Sequence, residues 1–368
     1  MAVGRYASLK EVAARAGVSF QTASKVLNGG RVRVSAQTAD RIFAAARELG
    51  YSPNTIARSL VQRSTCTLGL VAGDMTDGAL AQFAVAAEQE ARRNGHAVLV
   101  GNLNPAGDDG AEVVRMLLER RVDGVIAAAP QLEEDAQVAE MLRRHVPAVS
   151  LHHVPGGGLP VIGSNHRETG RLATAHLAGL GHRRIGMITG PFRRRVVRSR
   201  LRGHEDALRE AGLEPSEDLV VEADWSPGGA AQAARLLLDR ESTVTAVFVH
   251  SDTMAIGVLS ALAAAGRRVP DDVAVVSCDD MPFAEFLTPA LTSVRVPFGE
   301  TGELAVQLLL RRIQDEPVPN EPLLLPVELI VRASCGGLVA HPAAHPAPSG
   351  PQAISASPVP FHRQEEEK

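Results

Sequence analysis

The 368-residue chain has only three cysteines, Cys66, Cys278 and Cys335, scattered without a CxxC pair. That excludes a disulfide framework and a cysteine-ligated zinc site of the usual spacing, and it fits a reducing cytoplasm. No apolar run reaches the roughly 18 residues that a membrane span needs. The opening residues MAVGRYASLK lack the apolar core and small-residue cleavage site of a signal peptide, so a cytoplasmic protein is expected. Signatures of catalysis are missing too. There is no GxGxxG after a strand and no GxxxxGK[ST], so dinucleotide and nucleoside-triphosphate binding have no support. No GxSxG, HExxH or close Cys/His pairing appears, and no cofactor is implied. Histidines gather only at His152-His153 and at His341 with His345. Adjacent residues on a strand point to opposite faces, and the second pair lies in a Pro/Ala-rich tail, so no metal site is expected.

What is present is lopsided. The net charge is −4, yet residues 1–63 carry ten Lys/Arg against three Asp/Glu, which leaves −11 for the remainder. A basic head on an acidic body is the electrostatic footprint of a polyanion-binding module joined to a body that does not bind. The length itself exceeds one ordinary core and calls for two or three domains.

Within the head, Ser8 stands three residues before Glu11, the spacing of a capping box. Leu9, Val12, Ala13 and Ala16 then share one helical face. Gly17 can take the left-handed conformation that ends this helix, and Ser19 can cap a second one. That second helix points Ala23, Val26 and Leu27 inward and leaves Phe20, Gln21, Thr22 and Lys25 outside. Such a face suits base edges in a major groove, with Phe for thymine methyls. Ser35 opens a third helix, TADRIFAAARELG, whose Ile42, Ala45, Ala46 and Leu49 complete a three-helix core before Gly50 stops it. Tyr51-Ser52-Pro53-Asn54 leads into a helical pattern of about six residues ending at Leu60. So short a helix is unstable alone in water and is a candidate for folding on binding.

From Cys66 onward strands alternate with helices. The apolar runs TLGLVA, AVLVGN, GVIAAA and AVSLH flank helical segments at 80–94, 109–120 and 135–145. The second set is RIGMITG, LVVEAD, TAVFVHS and VAVVSCDD, with helices near 168–180, 199–211, 228–240 and 252–265. This alternation implies two doubly wound parallel sheets, with ligand in a cleft at the carboxyl ends of the strands.

Together, LKEVAARAGVSFQTASKVLNG and the pattern VS…T.DRI…A.ELGYSPN..ARSL make the chain resemble the lactose-repressor (LacI/GalR) family of bacterial transcription regulators. The resemblance continues through RETGRLATAHLAGLGHRRIGMITGP, RLRGHEDALREAGL, VFVHSDTMAIGVLSAL and VPDDVAVVSCDDMPFAEFLTPALTSVRVP, to about residue 335. It implies a helix-turn-helix head on a core like a periplasmic sugar-binding protein. It also implies DNA contacts from Ser19, Phe20, Gln21, Thr22, Lys25, Asn28 and Ser35, and from Asn54, Ala57, Arg58 and Leu60 of a hinge helix. The paired leucines at the position of Leu60 wedge open a central base step in that family. Lys25 replaces the commoner arginine there and loses its bidentate geometry.

The same resemblance places Arg200, Trp225, Ser251, Asp252, Asp279 and His152 around an effector. A pyranose offers an apolar face to an aromatic ring and hydroxyls to charged, planar partners, so a mono- or disaccharide is expected. Two departures bear on which one: His152 stands where an acid is frequent, and Ser164-Asn165-His166 replaces a frequent Val-Asp-Asn. The expected layout is a DNA-binding domain at 1–52, a hinge and linker at 53–65, and an effector core at 66–335. Within that core the N-subdomain takes about 66–163 and 293–321, and the C-subdomain 164–292 and 322–335. The tail, 336–368, carries six prolines and has a disordered composition. It lacks the leucine heptad through which some of the family tetramerise, so a homodimer is expected. The reading is thus a non-enzymatic repressor of a pseudo-palindromic operator, bound to the nucleoid. The rivals are a solute-binding transport protein, which the basic head opposes, and an α/β enzyme, which the missing motifs oppose.

Overall fold

In the computed structural model the described residues are 7–27, 34–51, 64–104, 109–319 and 321–337. The head begins with α1 (Leu9–Ala16), α2 (Phe20–Leu27) and α3 (Ala36–Glu48). Ser8 and Glu11 form the reciprocal capping box, and Gly17 closes α1 at φ 63°. Ser19 Oγ accepts the Thr22 N–H at 3.1 Å, and Ser35 Oγ accepts that of Thr38 at 3.2 Å. Val12, Ala13, Ala16, Ala23, Ile42, Ala45 and Ala46 form the buried centre, and Val26, Leu27 and Leu49 pack against it. An Arg15–Glu48 pair at 2.6 Å ties α1 to α3 at the surface.

The body has two lobes. Its elements are β1 (Thr67–Ala72), α4 (Gly78–Arg93), β2 (Ala97–Asn102), α5 (Gly110–Glu119), β3 (Gly124–Ala128), α6 (Ala136–His145), β4 (Ala148–Ser150) and β5 (Ile162–Ser164). There follow α7 (His166–Gly179), β6 (Ile185–Thr189), α8 (Arg195–Glu210), β7 (Val220–Glu222), α9 (Pro227–Arg240), β8 (Ala246–Val249), α10 (Asp252–Ala264) and β9 (Ala274–Asp279). The body closes with β10 (Thr292–Arg295), α11 (Phe298–Ile313), β11 (Leu323–Leu325) and β12 (Glu328–Ile330).

The first sheet is parallel in the order β2-β1-β3-β4, and the second runs β12-β10-β9-β8-β6-β7 with only β12 antiparallel. Strands β3, β6 and β8 are buried along their whole length. That is why they read as continuous apolar runs and not as alternating ones, since helices cover both faces. Among the described residues, no helix is long and apolar enough to cross a membrane.

The expected elements of the body appear within a few residues of their sequence bounds, with three strands shortened: LVVEAD to Val220–Glu222, TAVFVHS to Ala246–Val249, and AVSLH to Ala148–Ser150, so His152 lies beyond the strand. Strand β10 pairs with β9 as far as Arg295. Strand β11 pairs with β5 in a separate two-stranded sheet.

Candidate functional site

The face expected to read bases is built by α2. Phe20, 50% exposed, stands beside exposed Gln21 and Lys25, with Thr22 half-buried. Ala23 on the opposite side is fully buried, so α2 cannot turn this face inward without losing the core. Ser19 and Ser35 sit at the starts of α2 and α3, each hydroxyl already capping its helix. The proposed contacts Asn28, Asn54, Ala57, Arg58 and Leu60, and the hinge helix itself, lie outside the described residues.

The cleft lies where both sheets reverse their strand order, between β1 and β3 in one lobe and between β6 and β8 in the other. Ligands collect at such points because neighbouring loops diverge there. Arg200 of α8 is 4% exposed and reaches across the sheet end. Its Nη1 donates to the His250 carbonyl, its Nη2 lies 3.8 Å from Asp279 Oδ1, and its Nε is buried with no protein partner. Burial drives the Asp279 carboxyl well above its usual range; Arg200 opposes this, while Asp252 and Asp77 reinforce it. Asp279 and Asp280 both hold left-handed backbone, at φ 111° and 55°. Such conformations cost about 1–3 kcal/mol each and cluster at ligand clamps. Arg332 and Arg295 grip Asp280 at 2.7 and 2.8 Å and keep the turn in place.

Trp225, also left-handed at φ 71°, lays its indole over Gly190 at the end of β6. A Cβ on Gly190 would come within 2.2 Å of the ring, so only glycine admits it. The ring centroid is 6.2 Å from that of His250, tilted by 31°. His250 is fully buried, and both of its ring nitrogens lack a protein partner. Burial and then Arg200 pull its pKa well below the ordinary histidine value, so it is a neutral ring with one donor and one acceptor to offer. His166 Nδ1 and Gln131 Oε1 are likewise buried and unpartnered.

Buried polar atoms left unpaired cost about 1–3 kcal/mol each. Arg200, His250 and His166 lie close enough to act on one another electrostatically, beside an indole face and a buried cation–carboxyl pair. That arrangement can recognise a small polar molecule.

The six expected effector residues divide into two groups. Arg200, Trp225 and Asp279 meet in the cleft. His152 stands at its edge, with Nδ1 3.4 Å from Glu133 Oε1. Asp252 is engaged within its own lobe. It is fully buried and accepts from Ser277 Oγ, from Ser293 Oγ at 2.7 Å and from the Met281 N–H at 2.6 Å. Ser251 caps α10 by accepting the Met254 N–H at 3.1 Å.

His250, Gln131 and Asp77 were not singled out in the sequence, and His166 was noted only within the Ser164-Asn165-His166 departure. For His250 a signal existed: a polar residue directly after a buried apolar strand marks the carboxyl end of a sheet. The lobes also touch across the cleft. Arg194 Nη1 donates to the Pro130 carbonyl at 2.7 Å, the Arg195 N–H to Glu133 Oε2 at 3.1 Å, and Gln82 Nε2 to Met281 Sδ at 3.2 Å.

Comparison with known proteins agrees with this geometry. Residues 8–54 match the model of bacterial regulatory proteins of the lacI family, and residues 174–335 match a periplasmic binding protein-like domain. The chain is 34% identical over 329 residues to the HTH-type transcriptional repressor PurR of Vibrio campbellii, covering 89% of this chain and 98% of that one. It is 34% identical over 331 residues to the ribose operon repressor of Escherichia coli K12, covering 89% and 99%. Among solved structures it resembles the lac repressor dimer bound to operator and the anti-inducer ONPF, with a TM-score of 0.82, 31% identity and coverage of 90% and 99%. It also resembles a complex of the transcriptional regulator CelR with cellobiose, with a TM-score of 0.69, 34% identity and coverage of 89% and 99%. With full-length repressors a third identical to it, a helix-turn-helix head and a two-lobed cleft, the chain belongs to the lacI family of bacterial regulatory proteins: it is a DNA-binding transcriptional repressor switched by a small-molecule effector, and not an enzyme.

Proposed function

We propose that this repressor binds a pseudo-palindromic operator as a homodimer at the nucleoid, and that its effector is a mono- or disaccharide. The observation that carries the effector is the cluster around Arg200. An indole face next to a buried guanidinium, a carboxyl and a neutral imidazole, with Arg200 Nε and both His250 nitrogens unpartnered, matches the apolar face and hydroxyl rim of a sugar ring. Arg200, Trp225, Asp279 and His152 are the proposed contacts, and Ser251 and Asp252 hold the turn behind them. Exposed apolar side chains support dimerisation: Val85 on α4 and Val100 on edge strand β2 in the first lobe, and Ile256 and Phe286 in the second. Two-fold symmetry then presents two copies of the α2 face to two half-sites. Phe20, Gln21, Thr22 and Lys25 read bases, Ser19 and Ser35 approach phosphates, and by the resemblance Asn28, Asn54, Ala57, Arg58 and Leu60 complete the contact.

A ligand that prefers one disposition of the lobes biases the contacts that bridge them at Pro130, Glu133 and Met281. Its effect on operator affinity is a coupling free energy, typically about 1–3 kcal/mol. Titration calorimetry with D-ribose, D-glucose, lactose and cellobiose, set against hypoxanthine and guanine, tests the effector class. Binding of a saccharide is expected, and heat from the purines alone would overturn it.

A further inference from the structure

The chain enters the first lobe at Ser64–Thr65, and a single carboxylate holds it there. Ser64 Oγ donates to Asp123 Oδ2 at 2.7 Å, and the Thr65 N–H donates to Asp123 Oδ1 at 2.8 Å. Thr65 Oγ1 lies 3.2 Å from the same Oδ1 and 2.8 Å from the Arg121 carbonyl, so its one proton is shared. The Asp123 N–H donates in turn to the Thr67 carbonyl at 2.7 Å. Two non-glycine residues at this junction, Cys66 at φ 49° and Arg121 at φ 58°, hold left-handed backbone. Such backbone persists only where the surroundings over-determine it.

Asp123 directly precedes β3, which is buried at all five positions. The far end of that strand runs into Pro130, whose carbonyl receives Arg194 from the other lobe, and into Gln131 with its unpartnered Oε1. A strand of five residues is about 17 Å long. One rigid, fully packed element thus has a cleft wall at one end and the attachment of the DNA-binding head at the other. We infer that Asp123 is a positioning residue: it fixes where the head's tether leaves the core, and β3 delivers displacements of the cleft wall to that point. The inference rests on the dimeric operator-binding reading. Two reading heads on one duplex gain affinity in proportion to how well their tethers are placed. Freeing Ser64 and Thr65 lengthens the tether without touching a DNA contact. Specific binding should fall while electrostatic, sequence-independent binding stays.

The full-length wild-type protein first selects a duplex from a random library. That duplex and a scrambled version of it are then the two probes in fluorescence anisotropy. Asp123→Ala is expected to weaken the selected duplex tenfold or more and to leave the scrambled one within twofold. Asp123→Asn, whose amide oxygen still accepts, should fall between. The double variant Ser64→Ala/Thr65→Val keeps the carboxylate and removes two donors, so it reports the same loss if Asp123→Ala does not fold. Undiminished binding of the selected duplex by the folded variants, or equal loss on both probes, overturns the inference alone. Failure of the wild type to enrich any duplex overturns the operator-binding reading with it.

Discussion

Replacing Gly203 by alanine would put a methyl group where α7 and α8 touch through their backbones. A Cβ at 203 would lie 1.8 Å from the Arg167 carbonyl oxygen, and one at Gly170 would lie 1.9 Å from that of Arg200. Carbon and carbonyl oxygen tolerate about 3.3–3.6 Å, so the helices must part by about 1.5 Å. Alanine in place of glycine inside a helix gains about 1 kcal/mol of propensity. Against it stand overpacking, at about 1–3 kcal/mol or more, and loosened packing around buried Ala173, Leu177, Ala207 and Leu208. We expect a net loss of about 2–3 kcal/mol.

The shift also reaches the cleft, because Arg200 lies one turn before Gly203. Its contact with the His250 carbonyl would break and its 3.8 Å approach to Asp279 would widen. Sugar affinity should therefore fall tenfold or more. Urea unfolding of Gly203→Ala beside Gly179→Ala provides the assay, because nothing lies within 4 Å of a Cβ at 179. The control should be neutral or stabilised by up to about 1 kcal/mol. Equal stability of the two variants would refute the close-contact reasoning.

Three further outcomes follow from the buried groups. His204, bonded to Thr174 Oγ1 at 2.7 Å, is held neutral by burial with its pKa lowered to about 4. Between its ordinary value of 6.5 and that value the unfolded chain binds a proton that the folded chain does not, so stability is complete above pH 6.5 and falls on acidification. The loss should be about 1–2 kcal/mol at pH 5.5, added to by His250 and His166, whose pKa values burial also lowers. Urea titrations at pH 7.5 and 5.5 check it, and a flat profile would contradict it. Asp252→Ala strands the hydroxyls of Ser277 and Ser293 and the Met281 N–H, and it should cost about 2–5 kcal/mol. A thermally unchanged variant that loses only sugar affinity would return Asp252 to the ligand. Because Trp225 is the single tryptophan, its emission should change when a saccharide binds. Trp225→Ala should weaken that binding tenfold or more with little effect on unfolding, and silent emission in a calorimetrically proven complex would exclude the ring from the site.

Much of this architecture is local and was legible in the residues. The capping box at Ser8 and Glu11, the left-handed Gly17 and the buried Ala23 each depend on neighbours within a few positions, so spacing alone disclosed which side of α2 faces outward. Apolar runs alternating with amphipathic stretches disclosed the two sheets, because strands covered on both faces must be apolar throughout. Arg200, Trp225 and Asp279 were reachable through resemblance, and the structure places them in one cleft.

Tertiary structure alone decided the rest. Strands β10 and β11 are four and three residues long, and only their partners β9 and β5 say which sheet owns them. Asp252 has the same local surroundings whether it faces a sugar or a wall. Its hydrogen-bond partners Ser277, Ser293 and Met281 stand 25 to 41 residues away. His250 carries no local mark of being unpartnered, and Asp123 none of holding Ser64 from 59 residues off. Helical and strand periodicity is a property of neighbours along the chain, so the sequence specifies it directly. Satisfaction of a buried polar group is a property of neighbours in space, and it exists only once the chain has folded.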